Sequence, residues 1–409
     1  MRFFIYIILH ILIFVQLCGS IAAQEPPTSW VKAQGLANAL NPKISLIGDF
    51  VANAGPMADS SANQIGLRET ELGFQAEVDP YARADFFASF ANDETPSFEE
   101  GYVTLLSLPW GLRGRGGKFR ANFGRLNSTH PHEYSQVSTP LVLAEFLGSD
   151  GLKDVGAEVT RAFAPWGIYT EWTYALLNGL GKSENSDPAT TTVTDSDGNK
   201  VAVQVYQKNS ATQRQVRNFA HVSRLRAYFD FSDAMNIDWG ISGLLHNPKE
   251  MKETRMAALD VTLRWKPLQQ GTFRSAIWRT EAIYSDRKLP RQTSVVTGAV
   301  TAYEKQLYRR GIYSYVEFAP IKRWKFGLRG DYVESPEAAN TTLTLQDGSS
   351  RTVESAITRA LSPTVTFIWS EFNRLRAEYQ YKVAPGDDVE HRLFLQWTII
   401  LGPHGAHPF

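Results

Sequence analysis

The stretch Arg392-Leu393-Phe394-Leu395-Gln396-Trp397-Thr398-Ile399-Ile400-Leu401 decides the fold, because apolar and polar side chains alternate along it. Successive side chains of a β-strand point to opposite faces, so this pattern predicts a strand with one apolar and one polar face. The stretch is also about as long as a tilted strand that crosses a bilayer. The apolar members are Leu393, Leu395, Trp397, Ile399 and Leu401, and the polar members are Arg392, Gln396 and Thr398.

The same alternation recurs along the chain, with almost no helical periodicity between the repeats. We count about sixteen such segments, each near the length of a membrane-crossing strand. An even number of strands places both chain ends on the same side of the membrane. Clear examples are residues 44–50, 72–78, 225–231, 259–265, 324–332 and 375–381.

The connections between these segments alternate in length, which favours a membrane barrel over a soluble β-sandwich or β-barrel. The short links are 79–80, 107–111, 164–166, 232–235, 267–271, 319–322 and 370–371, and the largest long links are 125–154, 180–218, 287–309 and 335–353. Outer-membrane barrels have short periplasmic turns and long external loops. The sequence therefore predicts an all-β fold, a transmembrane antiparallel up-and-down β-barrel of about 16 strands.

Tryptophan positions support this prediction independently. Aromatic rings that combine an apolar body with a hydrogen-bonding group concentrate at membrane interfaces. Several tryptophans lie in or beside the short links, as expected for a girdle at one end of a barrel. They are Trp110, Trp166, Trp239, Trp265, Trp324 and Trp369, with Tyr81 in another short link.

The N-terminus predicts export. Arg2 precedes the apolar run 3–17, and small residues follow at 20–23, as in a cleaved secretory signal; a membrane anchor is the alternative. We expect a signal peptide over 1–23, a periplasmic linker over 24–42, the barrel over 43–401 and a periplasmic tail over 402–409. The predicted location is the bacterial outer membrane. Cys18 is the only cysteine, so cleavage would leave a mature chain without thiols.

The composition excludes two other classes of protein. Lys+Arg and Asp+Glu are both 42, which argues against a nucleic-acid partner held by a basic field. Aromatic residues make up 12% of the chain, which argues against disorder. The mean hydropathy of −0.26 is too polar for a helical membrane protein, but alternating strands average to such a value.

Short motifs resemble those of the phosphate-selective porins, a family of trimeric sixteen-stranded anion porins. These are residues 117–124, the long link after them with 141–147 and Asp154-Val155-Gly156, the Asn178-Gly179 strand ending, and the stretch from 311 to Tyr332. The resemblance covers most of the chain from Lys43 to Leu401 and implies a homotrimer. The Gly- and Pro-containing tail after Leu401 departs from the usual ending of an outer-membrane barrel, since proline lacks a donor for strand pairing.

Strand parity predicts which cations line the pore. The candidates are Lys118, Arg120, Arg224, Arg226, Arg264, Lys325, Arg329, Arg374, Arg376 and Arg392, and the acidic residues predicted to face them are Glu71, Glu77, Glu100, Asp230, Asp260, Asp331 and Glu378. Most of these could be paired along the wall. The slight cationic excess predicts an outer-membrane porin for passive diffusion of small hydrophilic solutes and ions, with a mild preference for anions, among them phosphate.

The long link 125–154 is the best candidate for a constriction inside the barrel, with an external loop as the alternative. A loop that enters the lumen narrows the path and places charges at its narrowest point. The candidate residues are Arg125, His130, His132, Glu133, Glu145, Lys153 and Asp154; Asp150 lies in the same link.

Other functions are compatible with the sequence. His130 and His132 could bind zinc, as could His404 and His407, but no ligand set follows from the sequence. One alternative is a zinc-linked outer-membrane receptor or uptake channel, although a plug domain and the length for a TonB-dependent receptor are missing. Another is a non-conducting structural barrel. No G-x-S-x-G or H-E-x-x-H motif occurs, so we expect neither an enzyme nor a cofactor. Expected partners are outer-membrane lipid, small anions or hydrophilic solutes, and the barrel-assembly machinery.

Overall fold

The polypeptide forms a closed antiparallel barrel that contains sixteen of the strands in the described part of the chain. The structure is a computed structural model, and it describes residues 42–55, 64–90, 97–148, 150–180, 190–194, 200–204, 219–247, 253–268, 273–289, 292–293, 300–302, 305–334, 342–344, 350–352, 356–385 and 389–402. The predicted signal peptide, nearly all of the linker, and the tail histidines His404 and His407 lie outside these residues. The described residues contain no helix with the length and apolar character needed to span a membrane.

The barrel strands follow one another in chain order, and the first strand closes the sheet by pairing with both the second and the last. The barrel strands are β1 (Lys43–Ala54), β2 (Gln64–Asp79), β3 (Ala82–Phe90), β4 (Ser97–Leu108), β5 (Leu112–Arg120), β6 (Lys153–Phe163), β7 (Tyr169–Leu177), β10 (Ala220–Ser232), β11 (Met235–His246), β12 (Thr254–Trp265), β13 (Ser275–Leu289), β16 (Lys305–Ile321), β17 (Trp324–Glu334), β20 (Ile357–Ser370), β21 (Asn373–Val383) and β22 (Val389–Leu401).

Three small hairpins occupy the long links. They are β8 (Thr190–Thr194) with β9 (Lys200–Gln204), β14 (Gln292–Thr293) with β15 (Val300–Ala302), and β18 (Thr342–Thr344) with β19 (Ser350–Thr352). The link predicted at 287–309 is shorter than expected, because β13 and β16 extend their pairing to Leu289 and Lys305. Short 3-10 turns lie at Pro109–Gly111, Pro131–Glu133 and Pro165–Gly167, and the helix α1 spans Leu141–Leu147.

The two faces of each strand differ as the alternation predicts. In β22, Leu395 is 51% exposed on the outer face, whereas Gln396 is 2% exposed inside the barrel. All seven predicted short links join consecutive barrel strands at one end of the barrel. The predicted fold class is therefore confirmed.

Aromatic side chains ring the short-turn end of the barrel. Trp110 and Trp166 occupy the middle of two Pro-Trp-Gly turns and are 80% and 85% exposed. Trp324 and Trp369 are exposed beside other turns at this end. Such a band suits an interface between lipid and water, because the indole N–H can reach water while the ring contacts lipid.

Candidate functional site: a loop across the lumen and the charges around it

The chain between β5 and β6, described at residues 121–148 and 150–152, folds into the barrel; we call it the lumen loop. Its backbone is bound by wall strands on several sides. The amide of Gly124 donates to Ser242 Oγ of β11 at 3.0 Å, and the amide of Leu141 donates to Asp331 Oδ1 of β17 at 3.0 Å. The loop therefore crosses the lumen and does not lie outside the barrel.

Apolar packing holds one side of the lumen loop against the wall. Phe123 and Val142 of the loop are fully buried, and α1 contacts β13, β16 and β17. Inward-facing apolar side chains of the wall complete this core, so part of the lumen is packed and not filled with water. The wall residues in the core are Phe119, Ala175, Leu177, Ala220, Val222, Leu244, Met256, Ala258, Ile283, Tyr313, Tyr315 and Val333.

A second anchor lies between residues 137 and 138 of the loop and strands β17 and β21. Glu378 accepts a 2.6 Å hydrogen bond from the amide of Val137 and another from the hydroxyl of Ser138. Arg329 donates to the Ser138 carbonyl at 2.6 Å and pairs with Asp331 at 2.7 Å. Arg329 and Glu378 are almost completely buried, so their charges hold the loop.

Two histidines of the loop meet glutamates of β2 and β4. His130 Nδ1 lies 2.7 Å from Glu71 Oε2, and His130 Nε2 lies 2.7 Å from Glu100 Oε1. His132 Nδ1 lies 3.4 Å from Glu69 Oε2 and 4.0 Å from Glu71 Oε2. Four donor atoms from Glu69, Glu71, His130 and His132 lie within 4.8 Å of one another. We call these four residues the His–Glu cluster.

Electrostatics favour a charged His130 when no cation is bound. Burial disfavours the imidazolium, but Glu71 and Glu100 on its two nitrogens outweigh that effect and raise the pKa of His130 to about 10. A protonated His130 is therefore a bridge between two wall strands at neutral pH.

An arginine cluster surrounds the carboxylate of Asp238 on β11. Asp238 Oδ2 lies 2.7 Å from Arg226 Nη2, 3.2 Å from Arg125 Nη1 and 3.7 Å from Arg264 Nη2. One carboxylate cannot neutralise three guanidinium groups. Burial and the neighbouring Arg279 lower the pKa of Arg125 to about 9, against the opposing effect of Asp238. This side of the lumen therefore carries excess positive charge.

Arg125 and Arg226 also line a polar cavity of about 460 Å³ inside the barrel, next to the lumen loop. Six arginines and three acidic residues are among its lining residues. They are Arg83, Arg113, Arg115, Arg125, Arg224 and Arg226, with Asp85, Glu158 and Glu171. Each of the six arginines pairs with a wall carboxylate, and Arg125 and Arg226 share Asp238, so the guanidinium groups exceed their carboxylate partners by one. A small positive excess of this kind favours hydrated anions mildly.

The other predicted pore-lining cations divide into three groups. Arg224 forms a two-point contact with Asp260 at 2.6 and 3.0 Å, and Arg392 and Lys325 pair with Glu390 and Glu317 along the wall. Arg120 is buried against Glu99 and Glu100, and it donates to the Asp150 carbonyl at 2.8 Å. The third group, Arg329, Arg374 and Arg376, donates to backbone carbonyls of the lumen loop.

For this third group the structure corrects the expectation of an exposed pore lining. Arg329 and Arg376 are 0% and 5% exposed, because the lumen loop covers them. Strand parity predicts the face on which a side chain lies, but it does not predict what packs on that face.

Lys118 also differs from the prediction. It pairs across the sheet with Gly101, which pairs in turn with Phe86, and Phe86 is 42% exposed on the outer face. Phe119, the next residue, is fully buried inside. Lys118 therefore lies on the outer face, where it donates to the Phe98 carbonyl.

The remaining constriction candidates lie at different places. Glu133 is half-buried beside His132, and burial raises its pKa. Glu145 is exposed on α1. Lys153 and Asp154 belong to the wall, since β6 begins at Lys153; Lys153 pairs with Glu99 at 3.0 Å.

Several inward acidic residues were missed by the sequence reasoning. Glu69 and Glu99 contact the loop histidines, Glu281 accepts from the amide of Leu126, and Asp238 binds the arginine cluster. The spacing of Glu69 and Glu71, two residues apart on one strand face, matches that of His130 and His132. That match could have indicated the cluster, but only if the loop were known to fold inward.

Comparisons with known proteins support the fold. No family model matches the chain. An uncharacterised protein of Aquifex aeolicus (strain VF5) is 25% identical over 355 residues, which cover 84% of this chain and 70% of that protein.

Among solved structures, the chain is similar to three barrels. Pseudomonas putida OprB has a TM-score of 0.55 and 8% identity, over 90% of this chain and 95% of that one. The outer membrane channel DcaP of Acinetobacter baumannii has a TM-score of 0.53 and 10% identity, over 88% of this chain and 97% of that one. An anion-selective porin from Comamonas acidovorans has a TM-score of 0.51 and 9% identity, over 88% of this chain and 99% of that one. At these identities the likeness shows a shared fold, the closed antiparallel β-barrel.

Proposed function

We propose that this protein is an outer-membrane porin that lets small hydrophilic solutes and ions diffuse passively, with a mild preference for anions. The observation that carries the proposal is the arginine cluster at Asp238, beside a polar cavity and next to a loop that crosses the lumen. The phosphate-selective porin resemblance and the anion-selective porin of the same fold agree with an anion preference.

The outer face supports a position in the outer membrane. Side chains on this face are apolar along β22 and β1, as in Leu395, Trp397 and Phe50, each more than 40% exposed. Exposed aromatic residues gather at the short-turn end, which we assign to the periplasmic side. Outer-membrane lipid and the barrel-assembly machinery are the partners that such a barrel requires, with export by a cleaved signal peptide.

The path for solutes runs beside the lumen loop and not through an open cylinder. The apolar core packs the loop against β7 to β17, and the polar cavity remains on the side of β2 to β10. An anion in this cavity would meet Arg113, Arg115 and Arg226, whose partners are the wall carboxylates. Passive diffusion needs neither catalysis nor a cofactor, and we assign none.

Reversal potentials in planar bilayers, measured across a gradient of potassium chloride, test this proposal. We expect discrete channels with a modest chloride preference, and a similar measurement with phosphate salts compares the two anions. Clear cation selectivity would contradict the anion preference, and an absence of channels from folded protein would contradict the porin.

Two observations favour other functions. The His–Glu cluster favours a zinc-linked receptor or uptake channel, which would show zinc-dependent conductance. The apolar packing of the lumen loop favours a non-conducting structural barrel, which would show no channels. A homotrimer follows from the family resemblance, and the mass of the protein in detergent tests it.

A further inference from the structure

We propose that the His–Glu cluster is a binding site for a divalent transition-metal ion, with Zn²⁺ as its test ion, that joins the lumen loop to strand β2. This site lies beyond the porin function, since metal retention does not depend on conduction.

The donor set fits such an ion. Two imidazole nitrogens and two carboxylate oxygens match the ligands that zinc uses in four-coordinate sites. Glu71 Oε2 lies centrally, at 2.7 Å from His130 Nδ1 and 4.0 Å from His132 Nδ1. Bonds of about 2.1 Å place tetrahedral ligand atoms about 3.4 Å apart. The present 4.8 Å spread would therefore contract by about 1.4 Å, through changes of the glutamate rotamers.

The surroundings of His130 provide a second observation. Metal-binding histidines donate their other ring N–H to a carboxylate or carbonyl, which fixes the ring orientation. Glu100 Oε1 takes that position at 2.7 Å from His130 Nε2, leaving Nδ1 directed toward Glu71. Glu100 of β4, His130 of the lumen loop and Glu71 of β2 form this arrangement, so three separate chain segments contribute to it.

The local backbone geometry presents the four ligands as two pairs, one from β2 and one from the lumen loop. Glu69 and Glu71 lie two residues apart on β2, so both face inward. His130 has extended backbone angles, and Pro131 follows it at the start of a 3-10 turn. Both imidazoles are 1% exposed, so a bound ion would be shielded from bulk water.

The competing interpretation is a proton in place of the metal ion. A protonated His130 between Glu71 and Glu100 accounts for two of the contacts without any cation. It then needs a separate ion pair between His132 and Glu69, at 3.4 Å, whereas a single metal ion would account for both histidines and both glutamates. Metal binding must displace a proton from His130, so the two interpretations predict opposite results for metal retention.

Equilibrium dialysis of the full-length folded protein in detergent tests the proposal. After EDTA treatment and dialysis against Zn²⁺, we expect about one zinc ion per chain, measured by elemental mass spectrometry. His132→Gln and Glu69→Gln should each lower the affinity at least ~10-fold, and Glu100→Gln by roughly 10- to 100-fold. His130 keeps both of its wall contacts in the first two variants.

Two controls separate this site from other histidines. His391→Gln alters a histidine on the outer face, next to Tyr379, and should retain zinc like the wild type. The double variant His404→Gln and His407→Gln removes the tail pair and should also retain zinc. Wild-type protein that holds no more zinc than His132→Gln would overturn the proposal, as would loss of zinc only in the tail variant.

A spectroscopic measurement on the unmodified chain covers the case in which a variant does not fold. Co²⁺ in a four-coordinate nitrogen and oxygen site should give visible absorption that Zn²⁺ abolishes. A spectrum of octahedral aqueous Co²⁺ at saturating metal would contradict the site.

Discussion

The amide of Val137 donates a 2.6 Å hydrogen bond to Glu378 Oε2, across 241 positions of sequence. This contact joins the middle of the lumen loop to a wall strand near the end of the chain. Glu378 is 1% exposed, so its negative charge needs partners inside the protein. The amides and hydroxyl of the loop donate hydrogen bonds to the carboxylate, and Arg329 lies 3.7 Å from it. The charged side chain of Glu378 therefore holds the lumen loop in place, in addition to any effect it has on ions in the lumen.

Glu378→Gln should loosen the lumen loop. The substitution removes the charge that accepts from Val137 and Ser138, and hydrogen bonds to charged groups contribute about 1.5–3 kcal/mol. The displaced loop should become roughly tenfold or more populated. We expect noisier channels of higher conductance and faster cleavage of the loop by protease. Glu334→Gln, which alters an outer pair with Arg310, should behave as wild type; equal behaviour of the two variants would contradict the anchor.

Gly311→Leu should displace α1 without a change of charge. A Cβ atom at Gly311 would lie 2.7 Å from Val142 and 3.2 Å from Phe146, both in α1. Overpacking of this kind costs about 1–3 kcal/mol. Because the added side chain pushes α1 away from β16 and toward the polar side of the lumen, conductance should fall while selectivity stays near the wild-type value.

Gly330→Leu is the matched control for that substitution. Within the described residues no heavy atom outside its chain neighbours lies within 4 Å of a Cβ at Gly330. Unchanged conductance in Gly311→Leu, with the barrel folded, would show that α1 does not obstruct the path.

Replacement of residues 130–146 by a short linker should raise the single-channel conductance. This segment contains the histidines, the Glu378 contact and most of α1, and it fills the space between β2 and β17. Semi-native gel migration must first show a folded barrel, because the deletion also exposes the apolar wall residues such as Ile283 and Val333. Conductance equal to that of the wild type would count against a constriction.

Arg226→Gln and Arg264→Gln should reduce the anion preference. Each removes one guanidinium that Asp238 shares with Arg125. Loss of one partly exposed charge should change the electrostatic free energy of an ion beside it by about 0.5–1 kcal/mol. That change corresponds to a factor of roughly 2–5 in the ratio of anion to cation permeability. Reversal potentials in a chloride gradient measure it. Arg310→Gln, on an exposed outer pair, is the control; an equal shift there would disprove a role for the cluster.

Much of the barrel could be predicted from the sequence. The alternation in 392–401 and its repeats is a local property, because neighbouring side chains of a strand must face lipid and lumen in turn. Short turns and their tryptophans are local as well. The strand faces of Arg226, Arg264 and Arg392 therefore follow from counting along the chain.

The contents of the lumen depend on tertiary structure. Nothing local indicates that 121–152 folds inward, because its anchors Ser242, Asp331 and Glu378 come from distant strands. For the same reason Arg329 and Arg376 are buried under the loop although their strand face was predicted correctly. The prediction that Lys118 faces the lumen is wrong: Arg120 has the same parity and is buried inside, but β5 ends at Arg120, where the chain turns inward.

The sequence by itself determined the alternation, the number of strands and the end of the barrel that carries the aromatic residues, since each depends on residues close together in the chain. Only the tertiary structure decided where the loop packs, which arginines remain in excess around Asp238, and which carboxylates meet His130 and His132. Those contacts arise from barrel closure, which brings β2, β4, β11 and β21 around one loop.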